Sequence, residues 1–347
     1  MKTLIKNGLL IDSANQVQAY LNLILEDGKV VAVTEEEPEA DRVIDATGKV
    51  VAPGFIDIHM HEDPVKDGKI EFCIFDAMLR MGVTTAVGGN CGINVYDPVK
   101  YLDMVEKDGA PVNVMLFAGH QYFREAAGAL DKYAPVTKEQ QEHMKKGLEK
   151  ALEAGCVGIS YGLRYVPGTG RDEFLDTASC CEKEHRMISA HVRDDEDRVF
   201  GAVAEVAEAG KLYNIPVQVS HIGSMAGFGQ MKQLLRQVDG YRMNGIDVAC
   251  DCYPYFAFST RIGATTYDDG WLERYHCDYS ACQLTEGKYK GQRCTPETFA
   301  EMRRDFPECL TVCYVMDEND IRMAFADPGV MVGSDGLIDN GHGHPRA

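Results

Sequence analysis

His59 and His61 stand one residue apart in PGFIDIHMHED, at the end of an apolar run. Residues two apart in a β-strand point to the same face, so both imidazoles project together while Met60 turns the other way. A His-x-His pair at a strand end has two uses: it holds a metal ion, or it closes a polar strand terminus with hydrogen bonds. The pair alone does not choose between them.

Other strand ends carry matching chemistry. Cys91 closes TTAVGGNC, His191 lies in SAHVRDD, His221 in VSHIG and Asp335 in GSDG, each following a strand-length apolar run. Thiolate with imidazole suits zinc, and Cys91, His191 and His221 leave a fourth position for water. His59 and His61 then hold a second metal or share the thiolate, with Asp335 as a metal neighbour and proton carrier. The chemistry indicated is metal-assisted hydrolysis.

The other candidates divide. His120 ends FAGH, where a site contact and a structural hydrogen bond are equally expected. His143 and His185 fall in helical stretches and His276 in a long connection, so surface or packing roles are expected. His342 and His344 follow the last strand in a Gly-rich loop, where a role away from the site is expected over an approach to it. The twelve cysteines are irregularly spaced, which reads as reduced thiols and metal ligands rather than a disulfide framework. Cys250 and Cys252, flanking Asp251, read as packing residues.

Elements must bring these tips together. From residue 50 onward, apolar runs (VVAPGFIDIHMH, TTAVGGNC, VNVMLFAGH, GCVGISYGL, RMISAHVR, IPVQVSHIG, IDVACDCYPY, VMVGSDG) alternate with amphipathic stretches such as KEQQEHMKKGLEKALEAG. Eight strands alternating with helices predict an α/β fold of the (β/α)8 TIM-barrel type, whose strand tips converge on one mouth. A doubly wound open sheet is the alternative. Residues 1–53 alternate apolar and polar around Asn-Gly, Asp-Gly and Thr-Gly-Lys turns, predicting a small antiparallel β domain ahead of a hydrolase barrel over 54–347. Residues 256–310, with Trp271 and several Tyr, break the rhythm and read as a lid that selects substrate.

Charge narrows the partners. With 35 basic and 54 acidic side chains the net charge is -19, which repels nucleic-acid phosphates and anionic membrane surfaces. A small-molecule substrate is expected, with no nucleic acid and no membrane. No stretch suits a signal peptide or a membrane span, so a cytoplasmic location is expected.

Taken in order, PGFIDIHMHED, GVTTAVGGNCG, the GHxxxR of His120 to Arg124, GISYGLRYVPG, HVRDD, DCYPY with FST, and GVMVGSDG cover nearly the whole chain. They resemble the N-acyl-D-amino-acid deacylases (D-aminoacylases) of the amidohydrolase superfamily. That resemblance implies a barrel with a small β-sandwich built from both chain ends, and zinc-dependent hydrolysis of the amide of an N-acylated D-amino acid. It implies a principal zinc at Cys91, His191 and His221, a second and weaker site at His59 and His61, and Asp335 as the catalytic acid/base. Many superfamily members bridge metals with a carboxylated Lys on the fourth strand, but GCVGISYGL contains none, which favours the Cys91 arrangement.

By the same resemblance, Tyr165, Tyr253, Ser259 and Arg346 contact the substrate carboxylate. A Lys commonly follows the strand-six histidine in this family, whereas Ile222 and Gly223 follow His221 here, so either Arg193 or Arg346 compensates or the substrate differs. The family also continues past HPR into elements that complete the sandwich, while this chain stops at Ala347, so an incomplete sandwich is expected. Rival readings are hydrolysis of a dipeptide, a cyclic amide or an N-acyl-D-glutamate, and a metal-binding homologue without catalysis.

Overall fold

The structure, a computed structural model, describes residues 1–339 together with 342 and 343. The chain divides into two compact units, Met1–Phe55 and Ile56–Ala347.

The first unit is all β. One hairpin turn falls at an expected dipeptide: Asp27 and Gly28 both take positive φ (48° and 77°), the twist that joins Asn22–Glu26 to Lys29–Thr34 with Glu26 opposite Lys29, whereas the second hairpin, Leu9–Asp12 with Val17–Tyr20, turns through residues 13–16. The unit is not one antiparallel sheet, however. A four-stranded sheet has the order Lys29–Thr34, Asn22–Glu26, Lys2–Lys6, Arg42–Asp45, and a three-stranded one the order Val17–Tyr20, Leu9–Asp12, Val50–Val51. Lys2–Lys6 runs parallel to Arg42–Asp45, and Leu9–Asp12 parallel to Val50–Val51. Turn residues announce a hairpin, but a parallel partner returns through a longer connection that leaves no local signal. Leu4, Leu10 and Ile24 are the buried apolar residues of these strands.

The second unit alternates helices with parallel strands, an α/β arrangement. Val83–Gly88 pairs with Asn113–Leu116. Ala118–Gly119, Gly158–Gly162, Met187–His191, Val217–Val219, Val248–Cys252 and Val330–Val332 then follow in one sheet, every neighbour parallel. Gly158–Gly162 is buried at every residue, as a strand covered on both faces must be. Hydrogen bonds continue past the strand ends: Phe117 N donates to Gly88 O at 3.0 Å, Val157 N to Leu116 O at 2.9 Å and Gly333 N to Cys252 O at 3.1 Å. Met60 and Gly336 form a parallel bridge, with His61 N donating to Gly336 O at 2.9 Å.

Helix Lys138–Glu153 shows how sequence sets such elements. Thr137 and Gln140 close its first turn as a capping box, and Met144, Leu148, Ala151 and Leu152 recur at helical spacing to form its buried face. Among the described residues no helix is long and apolar enough to cross a membrane.

Between Val248–Cys252 and Val330–Val332 the chain inserts a small sheet and an aromatic cluster. Phe258–Arg261, Leu310–Cys313 and Cys282–Leu284 make an antiparallel sheet in that order. Trp271 stacks on Phe299 at 5.2 Å between centroids, and Tyr267 meets Trp271 edge-on at 5.0 Å. Aromatic pairs of this geometry add about 0.5–1.5 kcal/mol beyond their burial, which explains where the chain spends its only Trp.

Candidate metal centre

Cys91 is the hub. Its Sγ lies 3.5 Å from Nε2 of His59 and 3.4 Å from Nε2 of His221. Two groups of potential ligand atoms share it: His59, His61, Cys91 and Asp335, and Cys91, His191 and His221, each with all atoms within 4.8 Å of one another. Asp335 Oδ1 is 3.3 Å from His61 Nε2 and 3.6 Å from His59 Nε2. Side chains from positions 59 to 335 thus converge on one spot, and all but the half-buried His61 are nearly sealed from solvent.

The backbone holds these tips in unusual conformations. Cys91, His221 and Asp335 take φ of 55°, 33° and 51°, the left-handed region that L-residues rarely enter, which costs of order 1–3 kcal/mol each. The Cys91 loop shows how that is sustained. Buried Glu62 accepts from Gly89 N (2.7 Å), Val95 N and the Asn94 side chain (both 3.1 Å), and Asn90 donates to Val87 O at 2.9 Å. Gly89, at φ +73°, leaves no room for a side chain, since a Cβ there would lie 2.3 Å from Phe117 O.

A second support fixes the imidazoles. Asp251, fully buried, faces His59 Nδ1 at 3.0 Å and accepts from the His221 backbone N at 2.8 Å through the same oxygen. Ser224 Oγ sits 2.9 Å from His221 Nδ1. His59 and His221 are thus each pinned through Nδ1, which leaves Nε2 facing the thiol.

The electrostatics fit a cation. Burial raises the Cys91 thiol, but charge on His59 and His221 outweighs it and holds the thiol well below its ordinary value. Burial opposes protonation of His61, yet its contact with Asp335 and the nearby thiolate lift it to about 9. His59 is likewise raised against its burial, chiefly by the charge of Asp251. His191 moves the other way, to about 4, because burial and the charge of His221 both disfavour its protonated form. Negative charge here draws positive charge, and a neutral imidazole beside a thiolate is a ligand pair. The Nδ1 of His191, 5 % exposed as a residue, has no hydrogen-bond partner among the described residues. A thiolate with imidazoles is a donor set of zinc type, so the residues present fit that ion.

A cavity opens beside the cluster, lined by Tyr165, His191, His221, Tyr253, Ser259 and Asp335 among others. Tyr165 packs on His191 at 4.4 Å, and Ser259 Oγ donates to Thr311 O at 2.7 Å. Other expected residues lie elsewhere. The Arg193 guanidinium is held by both carboxylate oxygens of Glu205 at 3.0 and 2.8 Å and does not line this cavity. His120 faces Glu173 at 3.0 Å, a carboxylate that also accepts from buried Arg124 at 3.1 Å, so GHxxxR folds into a structural ion cluster. Arg346 and His344 lie outside the described residues. His143, His185 and His276 are exposed, with His185 in a turn rather than a helix.

Sequence reasoning missed Glu62, Asp251 and Ser224. Asp251 did carry a signal, as a lone charge inside the apolar strand VACDC, which burial tolerates only with partners.

Residues 42–163 match the Amidohydrolase family, the class that this α/β fold and its strand-end cluster define. N-acyl-D-glutamate deacylase of Alcaligenes xylosoxydans xylosoxydans is 30% identical over 371 residues, spanning 99% of this chain and 75% of the relative. D-aminoacylase from the same organism is 27% identical, spanning 99% and 76%. The crystal structure of N-acyl-D-glutamate deacylase from Bordetella bronchiseptica, complexed with zinc and a phosphonate mimic of the tetrahedral intermediate, superimposes with a TM-score of 0.85 at 29% identity, covering 99% of this chain and 78% of that one. The chain belongs to the N-acyl-D-amino-acid deacylase family of the amidohydrolase superfamily.

Proposed function

We propose that this chain hydrolyses the amide bond of N-acyl-D-amino acids, releasing a carboxylic acid and a D-amino acid. The observation that carries the reading is the Cys91 thiol shared between two histidine groups, with Asp335 in the same cavity. Cys91, His191 and His221 are the residues to hold a tightly bound zinc, and His59 and His61 a second, weaker one. Bound there, zinc supplies Lewis acidity, polarising the amide carbonyl and acidifying water.

The remaining steps belong to side chains. Asp335, held against His61, removes the proton from the attacking water and delivers it to the departing amine nitrogen; such transfer is worth roughly 10²–10⁴ in rate. Tyr165, Tyr253 and Ser259, lining the cavity, position the substrate. With Arg193 occupied by Glu205, Arg346 is the cation assigned to the substrate carboxylate.

The same reading takes the parallel strands as a closed (β/α)8 barrel, supported by the Met60–Gly336 bridge between first and last tips, with a small β-sandwich over residues 1–53 and a lid over about 256–310. A cytoplasmic location is consistent with twelve free cysteines. The test is a panel of N-acetyl-D- and L-amino acids with zinc-loaded protein. D-selective release of acetate is expected; a zinc-loaded protein inert toward every member contradicts the reading.

A further inference from the structure

Two cavities meet at the Cys91 centre, and they differ in size. The inner one, lined by His191, His221, Tyr253 and Ser259 among others, measures about 20 Å3, room for little more than one water. The outer one, open to solvent, includes His61, Cys91 and Asp335 in its lining and measures about 510 Å3, the size of a small-molecule site. Tyr165, Ser259 and Asp335 line both. An amide carbon held beside Cys91 and Asp335 therefore has its small substituent inward and its large one outward.

The outer cavity has an apolar wall. Ile93, Val95, Leu337 and Ile338 contribute to it, with Pro307 and Leu310 from the insert. Ile93 and Val95 are 37 % and 46 % exposed, although they follow closely on sealed Cys91. The Cys91 loop holds them so: Ile93 N donates to Asn90 O at 3.0 Å and Val95 N to Glu62 at 3.1 Å, while Asn94 between them is buried and donates to Phe117 O at 3.1 Å. Leu337 and Ile338 follow Gly336, whose oxygen accepts from His61 N at 2.9 Å and so brings that stretch alongside the cluster. Large apolar side chains grouped in water beside a reactive centre mark a surface that a ligand covers. Charged residues of the same lining have partners of their own: Arg261 pairs with Glu308, Glu62 holds the Cys91 loop, and Lys132 lies 5.3 Å from the centre of the Tyr133 ring.

We propose that the outer cavity is an apolar acyl subsite, so that among N-acyl-D-amino acids this chain takes those with a medium-length aliphatic acyl chain in preference to acetyl. The inference rests on the deacylase reading above and adds which end of the substrate lies where. With the amino-acid carboxylate directed inward to Tyr253 and Ser259, the acyl chain passes Cys91 and lies along Ile93, Val95 and Ile338. A fully buried methylene is worth about fourfold in binding. Octanoyl exceeds acetyl by six methylenes, and their partial cover on one wall of an open cavity is expected to give at least about tenfold. The tail is remote from the reacting carbon, so its contacts are alike in the ground and transition states and the gain falls on KM rather than kcat.

The test measures kcat and KM of the full zinc-loaded chain on N-acetyl-, N-octanoyl- and N-succinyl-D-alanine and on N-acetyl-D-leucine, and the affinity for acetate and octanoate by calorimetry. A KM at least about tenfold lower for the octanoyl than for the acetyl substrate is expected, with octanoate bound at least about tenfold more tightly than acetate. Both ratios should fall toward one in Ile93→Asp. Either ratio near one in the unaltered chain overturns the inference. So does a larger gain from succinyl, which would put Lys132 in charge of the cavity, or from the leucine side chain, which would give the cavity to the amino acid. The calorimetric arm needs no turnover: a chain that hydrolyses nothing yet binds octanoate through Ile93 loses the deacylase reading and keeps the apolar subsite. Ile338→Asp, elsewhere on the same wall, repeats the measurement if Ile93→Asp fails to hold zinc.

Discussion

Asp251 Oδ1 lies 3.0 Å from His59 Nδ1, with both side chains fully buried, and the same oxygen holds the His221 backbone N at 2.8 Å. One carboxylate therefore orients two histidines whose Nε2 atoms both face the Cys91 thiol. Partners of this kind set the tautomer and direction of a ligating imidazole, and their loss typically lowers metal affinity 10–100-fold. Asp251→Asn is expected to weaken zinc binding by that factor, measured by competition with a chelator. An unchanged affinity would show that the two imidazoles orient themselves.

Asp335 separates binding from chemistry. Its carboxylate touches His61, yet the thiol–imidazole group of Cys91, His191 and His221 stands without it. Asp335→Asn should retain zinc at the tight site while kcat falls roughly 10²–10⁴-fold. Zinc analysis and turnover on one preparation check this, and near-normal turnover removes Asp335 from the proton path.

Glu62 is predicted to matter for stability first. It accepts Gly89 N, Val95 N and the Asn94 amide around the Cys91 loop while 3 % exposed. Hydrogen bonds to a charged group are worth about 1.5–3 kcal/mol, and Glu62→Ala strands its buried donors. A loss of at least that size in urea unfolding is expected, with weaker zinc retention as a consequence.

Arg193 and His120 give the converse prediction. Arg193→Ala breaks a pair with Glu205 and should leave KM for an N-acyl-D-amino acid unchanged. Arg124→Met should cost roughly 3–5 kcal/mol, because it leaves buried Glu173 without its guanidinium partner beside His120. A raised KM in the first variant would place Arg193 in the site after all.

Thiol labelling separates Cys91 from its neighbours. Burial pushes Cys156 and Cys252 up to about 12 and Cys180 up to about 11, so at neutral pH these stay protonated and slow to react. Exposed Cys73 should react with iodoacetamide whether or not metal is present. Cys91, held as a thiolate by its histidines, should react only after zinc is removed by a chelator. Labelling of Cys91 at equal rates in both states would place its sulfur outside the metal site.

The parallel strands and their polar tips were legible because each strand is a short apolar run ending in a residue with no business in a core: Cys91 after TTAVGGN, His191 after ISA, His221 after VQVS. What supports them was not. Glu62 and Asp251 act across distances of 27 and 192 residues, and a carboxylate's partner cannot be read from its neighbours in sequence. The partner of Arg193, expected to compensate for the missing Lys, was hidden for the same reason: Glu205 lies in the following helix, Val199–Tyr213. The parallel pairings of the first unit, Lys2–Lys6 with Arg42–Asp45, were invisible because only hairpins advertise themselves in turn residues.

The central claim is that Cys91 and two histidines share one zinc ion, and the direct measurement is X-ray absorption at the zinc edge of protein loaded with a single equivalent. One sulfur at about 2.3 Å with nitrogen or oxygen neighbours at about 2.0–2.1 Å is the predicted shell. A shell of nitrogen and oxygen alone, unchanged in Cys91→Ala, would contradict it.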